Sequence, residues 1–283
     1  MKKRLIALFL LVVCLISLFS CSASQSEPSF KITFIDVGQG DAALVECDGE
    51  HMLIDVGANT RSSSGRIRSL LQEKGIYELK YLVISHWHDD HYGGLKQTPN
   101  VLQNITEIDH VLCNKDPREE SKASDVLPII TDRADEIIVP TNNETFELGS
   151  ATIKVIDVSA NQENDSLVLL ITYGKTSFLF TGDMEQHQES AICELYGDDS
   201  WNLSLLKVAH HGSKTSTSIR FLRMLMPQYA VISVAANQAP HHPADQTLDR
   251  LEQAEVEGIY QTSKCGDVIV TSDGKKLNIE TTK

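Results

Sequence analysis

The chain has 283 residues, 41% hydrophobic and 23% charged, and a formal net charge of −14. That length suits one large domain or two small ones, and no internal repeat or low-complexity tract is present. The acidic balance excludes binding of a polyanion through a broad basic surface.

The first predicted element is an export segment. "MKKRLIALFLLVVCLISLFSCSASQ" carries Lys2, Lys3 and Arg4, runs apolar from Leu5 to Phe19, and then reaches Cys21. This is the three-part plan of a secretory signal peptide, with an apolar core too short for a dedicated membrane span. Leu18-Phe19-Ser20-Cys21 resembles a bacterial lipobox, which implies cleavage before Cys21 and a lipid on that cysteine; the alternative is an uncleaved anchor. The expectation is therefore a signal peptide over 1–20, a polar tether over 21–29 and a folded domain over 30–283. The domain would sit on the outer face of the bacterial cytoplasmic membrane, held by the lipid alone. Removing 1–20 takes three positive charges and no negative ones, leaving −17. A nucleic-acid substrate would then need local features to hold it, with a bound metal foremost.

Strand-length apolar runs follow: "FKITFIDV", "DAALVEC", "HMLIDVG", "YLVIS", "EIIVP", "ATIKVIDV", "SLVLLITYG", "TSFLFTG", "LLKVA", "YAVISVA" and "DVIVTSDG". Helical periodicity covers Arg66 to Lys74, Glu185 to Tyr196, Ser216 to Met226 and Ala244 to Glu255. Early strands meet as hairpins and later ones alternate with helices, so the α/β class is one of layered sheets covered by helices, not a purely parallel doubly wound sheet. Cys47, Cys113, Cys193 and Cys265 lack CxxC spacing and read as buried thiols or undetermined pairs, not zinc ligands.

Four of these strands run directly into ligand-type residues. "YLVIS" leads to His86, "SFLFTG" to Asp183, "LLKVA" to His210 and His211, and "YAVIS" to the loop carrying His241 and His242. Loops at the carboxyl ends of strands are where sites assemble from distant parts of a chain. The first loop, "SHWHDDHYGG", offers imidazole and carboxylate donors suited to zinc and related divalent ions. His86 and His88, two apart, can share one ion, while Asp90 and His91 face a second. Asp89 reads as a spacer and Trp87 as packing. His51, His110 and His187 read as structural, His187 on a solvated helix face.

His86-x-His88-x-Asp90-His91 after an apolar strand resembles the HxHxDH signature of the metallo-β-lactamase superfamily. "FIDVGQGDAALVE", "SLVLLITYGKTSFLFTGDME", "LKVAHHGSKTSTS" and "HHP" before "LDRL" are similar to the extracytoplasmic hydrolase domain of ComEC-type DNA-uptake proteins, over Phe30 to about Thr281. The resemblance implies a four-layer αββα fold, two mixed sheets sandwiched by helices. It implies His86 and His88 on one metal, Asp90 and His91 on the other, Asp183 between them, and Asp55 of "LIDVGA" supporting the loop from behind. A superfamily third histidine for the first metal is missing here; Asp165 or Asn164 of "ENDS" would have to serve. His210 and His211 are both candidates for the last ligand of the second metal. His242 matches a His-Pro pair and places an imidazole at the mouth, in a catalytic role beside Asp90 or as a capping histidine with no catalytic part.

Two divalent ions, zinc first and manganese as the alternative, would activate a bridging hydroxide and clamp a phosphate. Gly38 and Gly40 suit a tight loop beside the metal loop. Ser213 and Lys214, before a helical pattern, suit substrate contact or plain capping. The leading expectation is an exported metal-dependent phosphodiesterase or nuclease, with DNA or a cell-wall phosphodiester polymer as substrate. The alternative is a non-catalytic lipoprotein that binds an anion or a partner through a vestigial site.

Overall fold

Alternating strands with apolar residues on both faces call for a cover on each side, and the structure supplies it. The computed structural model describes residues 30–197, 200–236 and 241–283; the expected signal peptide, tether and Cys21 lie outside the described residues. Fifteen strands are present among them: β1 (Phe30–Phe34), β2 (Ala43–Cys47), β3 (Glu50–Ile54), β4 (Glu78–Ile84), β5 (Glu107–Cys113), β6 (Ala134–Ile138), β7 (Thr145–Leu148), β8 (Ala151–Asp157), β9 (Val168–Tyr173), β10 (Thr176–Phe180), β11 (Leu205–Lys207), β12 (Tyr229–Ile232), β13 (Gly258–Gln261), β14 (Val268–Ser272) and β15 (Leu277–Thr281).

They form two sheets, ordered β15-β14-β1-β2-β3-β4-β5-β6 and β13-β12-β11-β10-β9-β8-β7. Both are mixed. β1, β2 and β3 pair antiparallel and β3 to β6 parallel. In the second sheet β7 to β10 pair antiparallel and β10 to β13 parallel.

Three apolar clusters define the layers. Phe30, Ile32, Phe34, Val45 and Val83 of the first sheet meet Ile153, Leu169, Phe178 and Phe180 of the second. Phe30 stacks on Tyr173 and Phe178 at 5.1 and 4.9 Å, and Phe34 on Phe180 at 5.7 Å, so aromatic contacts tie sheet to sheet. Leu44, Leu82 and Ile84 point the other way, onto Ile67, Leu70 and Leu71 of helix Arg61–Glu73. Leu179, Leu206 and Ile232 likewise meet Ile192, Phe221 and Leu251 of helices Gln186–Tyr196, Ile219–Leu225 and Asp245–Gln253. The result is helix, sheet, sheet, helix, the αββα arrangement expected.

The first helix begins at Arg61, ahead of the predicted Arg66, because Thr60 caps it: its hydroxyl accepts from the Ser63 amide at 3.2 Å. Cys47 and Cys113 are buried thiols. No helix among the described residues is long and apolar enough to cross a membrane.

Phe30→Ala removes a side chain stacked on both Tyr173 and Phe178. It is expected to cost about 3–5 kcal/mol, read as a lower midpoint in urea unfolding at unchanged slope.

Candidate metal centre

The site lies where β3, β4, β10, β11 and β12 end. Ser85 follows β4 and opens the His86–His91 loop, in which His88 starts the short helix Asp89–Tyr92. The His91 and Tyr92 amides donate to the His88 carbonyl at 2.9 and 3.1 Å, closing the turn tightly enough to aim three imidazoles together. Asp89 and Asp90 occupy the first turn, where the helix dipole favours negative charge.

The loop is pinned by close backbone approaches. The Asp41 amide donates to the Asp90 carbonyl at 3.1 Å, and a Cβ on Gly40, which has φ +131°, would stand 2.4 Å from that same oxygen. From β10 the chain turns through Gly182 to Asp183, whose amide donates to Ser166 Oγ at 2.9 Å. After β11 come His210 and His211, both left-handed at φ 51° and 52°. Such strain in consecutive non-glycine residues persists only where the surroundings fix it.

These elements bring together two groups of donor atoms. One is His86, His88 and Asp183; the other is Asp90, His91, Asp183 and His211; in each, the donors lie within 4.8 Å of one another. Asp183, 2% exposed, belongs to both. Its Oδ1 lies 3.1 Å from His91 Nε2 and 3.7 Å from His211 Nε2, and its Oδ2 lies 4.0 Å from His86 Nε2. Asp90 Oδ2 is 3.1 Å from His211 Nε2. The Nε2 atoms of His86, His88 and His91 are buried without a hydrogen-bond partner, as is Asp183 Oδ1. Buried polar atoms left unpaired are rare, and several converging on one carboxylate fit a divalent ion on each side of it.

Behind these donors stands an orienting layer. Asp55 accepts from the Ser85 amide and hydroxyl, both at 2.8 Å, and pairs with His91 Nδ1 at 2.8 Å. His211 Nδ1 donates to the Ser233 carbonyl at 2.9 Å and lies 3.3 Å from Asp41 Oδ1. Partners of this kind fix ring orientation in metal sites.

Electrostatics split the histidines. Burial drives the His86 pKa well below the usual imidazole value. Burial also opposes charge on His91, but Asp183 and Asp55 outweigh it and push its pKa well up. For His211 the same contest, with Asp183 and Asp41 prevailing, raises the pKa to about 10. Burial would raise Asp183, but His91 and His211 hold it well below the carboxylate range.

Other expected residues fall differently. Asp165 joins neither group: Oδ2 accepts from the Asn161 and Gln162 amides at 2.8 Å each, and Oδ1 takes His187 Nε2. Its carboxylate is spent on its own turn. Asn164 is likewise turned away, donating to Glu185 Oε1 at 3.1 Å. His187 is exposed, as expected for a helix face, yet engages Asp165. Of the two candidates after β11, His211 joins the metal-ligand group and His210 does not. His210 faces Asp183 Oδ2 from 3.7 Å with Nδ1 3.5 Å from Glu185, and its ring meets that of His242 edge-on at 5.8 Å. Ser213 is buried in a local turn, accepting from the Thr215 amide at 3.3 Å, and Lys214 is exposed. The helix cap is Ser218, accepting from the Phe221 amide at 3.3 Å, not Ser213. Trp87 is packed on Tyr92, and Asp89 pairs with Lys96.

Sequence reasoning missed Asp41 and Lys207, joined by a buried ion pair of 2.6 Å. A lysine inside the apolar run "LLKVA" was the available signal, since buried lysines require partners.

Two mixed sheets between helices, with a shared carboxylate between two His/Asp groups at the strand ends, define a metallohydrolase-type protein. The chain belongs to the metallo-β-lactamase superfamily, whose family model matches residues 35–236. It is 27% identical over 277 residues to ComE operon protein 3 of Bacillus subtilis, covering 91% of this chain and 34% of that protein. It is 30% identical over 269 residues to Recombination protein 2 of Haemophilus influenzae, covering 90% and 30%, and 27% identical over 228 residues to Competence protein ComA of Neisseria gonorrhoeae, covering 80% and 30%. The chain thus spans about a third of these relatives' length. Among solved structures, the metallo-β-lactamase fold protein YhfI from Bacillus subtilis superposes with a TM-score of 0.57 at 13% identity, covering 87% of this chain and all of that one (100%). Tm1679, described as a metal-dependent hydrolase of the β-lactamase superfamily, gives 0.52 at 14%, covering 82% and 95%.

The raised pKa values of His91 and His211 mean that an ion bound at these imidazoles would compete with protons. Calorimetric zinc titration in buffers of different ionisation enthalpy is expected to show net proton release near pH 7. His211, raised from 6.5 to about 10, stabilises the metal-free fold fully below pH 6.5 and loses that contribution as pH rises through about 10. Thermal melts of metal-free protein across that window check the direction.

Proposed function

We propose that this protein is an exported metal-dependent phosphodiesterase, with DNA or another extracytoplasmic phosphodiester as its substrate. The observation that carries the reading is Asp183 standing between two donor groups, with the Nε2 atoms of His86, His88 and His91 buried beside it without a hydrogen-bond partner. Two divalent ions there, zinc or manganese, would supply a nucleophile at neutral pH and offset charge building on a phosphate in an in-line displacement.

The chain's own residues divide the remaining work. His86 and His88 with Asp183 would hold one ion; Asp90, His91 and His211 with Asp183 would hold the other. Asp55, Asp41 and the Ser233 carbonyl fix the tautomers of His91 and His211 by engaging their Nδ1 atoms. His210 and His242, next to each other at the mouth, stand where a substrate would enter. A cleft of about 240 Å³ opens beside His86, lined by Trp87, Asn114, Lys115, Lys122 and Asp165, and gives a chain-like substrate room to continue. The competence-related relatives support DNA, and the export segment read at residues 1–20 supports an extracytoplasmic site of action, with Cys21 as lipid anchor.

The test is a panel of single-stranded DNA, double-stranded DNA, bis-p-nitrophenyl phosphate and nitrocefin with zinc or manganese. Wild type is expected to turn over at least one phosphodiester and to leave nitrocefin intact. Asp90→Ala and Asp183→Asn are expected to lose roughly 100-fold or more in kcat, since several kcal/mol of charge stabilisation go with the metals. Absence of metal-dependent phosphodiester turnover defeats the proposal and leaves an anion- or partner-binding role. Turnover of wall polymer but not of DNA would redirect the substrate assignment.

A further inference from the structure

Among the described residues Lys207 is the one buried lysine or arginine, 3% exposed. Its ammonium contacts Asp41 Oδ2 at 2.6 Å and donates to the Val208 carbonyl at 3.0 Å. Asp41 in turn stands behind both imidazoles of the second donor group. Its Oδ1 is 3.3 Å from His211 Nδ1, and its Oδ2 is 4.0 Å from His91 Nδ1.

This placement gives Asp41 two chemically distinct options. With Asp55 and His91 it completes a third group of metal-ligand type, all donors within 4.8 Å and all three residues buried. It can serve there as a further carboxylate for a divalent cation. Alternatively it can act as the acceptor that orients His211, the role Asp55 plays for His91. Asp55 is already committed, taking three donors from Ser85 and His91. Asp41 Oδ1 is buried without a geometrically satisfactory hydrogen bond, so its assignment depends on what neutralises the carboxylate. A buried carboxylate without a counter-charge draws in a cation; one already paired with an ammonium does not.

We propose that Lys207 is a positioning residue for the metal centre: its ammonium holds Asp41 as an orienting acceptor behind His211 and His91 and keeps that carboxylate out of the ligand set. The centre therefore carries a fixed cation from the protein beside the divalent ions it binds. Lys207 touches neither donor group itself and acts through Asp41. This rests on the metal-centre reading above.

A double-mutant cycle on the intact purified chain tests it. The variants are Lys207→Met, Asp41→Asn and the pair combined. The readouts are zinc affinity by competition with a chromogenic chelator and zinc-to-protein ratio by elemental mass spectrometry. Asp41→Asn removes the charged acceptor behind His211 and is expected to weaken zinc binding roughly tenfold or more, the scale of orienting partners in metal sites. Lys207→Met frees Asp41 and is expected to tighten binding by a similar factor or to add a third equivalent of zinc. The combined variant lacks the same acceptor and is expected to stay within about threefold of Asp41→Asn, because Lys207 acts only through Asp41.

Unchanged affinity and stoichiometry in both single variants overturn the proposal, because a purely structural ion pair changes stability alone. A combined variant restored to wild-type affinity also overturns it, because Lys207 would then act by its charge and not through Asp41. Should Lys207→Met fail to fold, Asp41→Asn against the combined variant decides: equal affinity supports a lysine that acts through Asp41, and restoration refutes it. Wild type that binds no zinc would instead remove the metal centre itself, a failure distinct from equal binding across the cycle.

Discussion

Asp183 sets the terms for the rest of the structure. Its carboxylate is buried at the junction of two donor groups, and a buried charge must be matched or it destabilises the fold. Three imidazoles lie within 4.0 Å of its two oxygens from the metal-ligand groups, and His210 approaches from the open side. Against the opposing effect of burial, the Asp183 carboxylate raises the pKa of both His91 and His211. Divalent ions and protons thus compete for one arrangement, and folding, metal loading and pH are linked through it.

Holding such a cluster requires loops that do not relax. Each donor loop springs from the end of a strand whose faces are buried in apolar clusters, and the loops bond to one another across the sheets. The Leu167 amide donates to the Ser85 carbonyl at 2.8 Å, joining the two sheets behind His86. The His210 amide donates to the Gly182 carbonyl at 3.0 Å, locking the His210–His211 turn to the Asp183 turn. The left-handed pair at His210 and His211 is the local cost of directing one imidazole inward and its neighbour toward the mouth.

The metal loop was legible because its donors lie within six consecutive positions, and Asp183 because it directly follows an apolar strand. The layered fold was legible from period-two and helical patterns, and the family from HxHxDH. What stayed hidden was decided by distant partners or by backbone strain. Choosing His211 over His210 depends on two left-handed residues that no pattern announces. Asp165 offered the right chemistry, but its carboxylate caps the turn over Asn161 and Gln162, a competition that short polar side chains often win. The Asp41–Lys207 pair joins strands far apart in the chain, so neither residue alone reveals it. β5, β7, β13 and β15 escaped notice because they are short or interleaved with polar residues; β15 is nowhere buried and forms a sheet edge.

The acidic surface and the buried centre bear on how a phosphodiester would be recognised. At a formal charge of −14 the protein as a whole repels a polyanion. The lysines nearest the cleft do not reverse this: Lys115 is matched by Glu120 at 3.0 Å and Lys122 faces Glu163 at 3.5 Å. Under the proposed function, attraction for a phosphate would then come from cations held within the donor groups, where low dielectric strengthens each charge. Such cations would address the phosphate, which every nucleotide or wall-polymer unit presents alike, and among the described residues no aromatic platform or basic stripe adds base recognition. Under the proposed function, selectivity therefore rests on how a phosphodiester chain reaches the Asp183 centre past His210 and His242, not on the order of its residues.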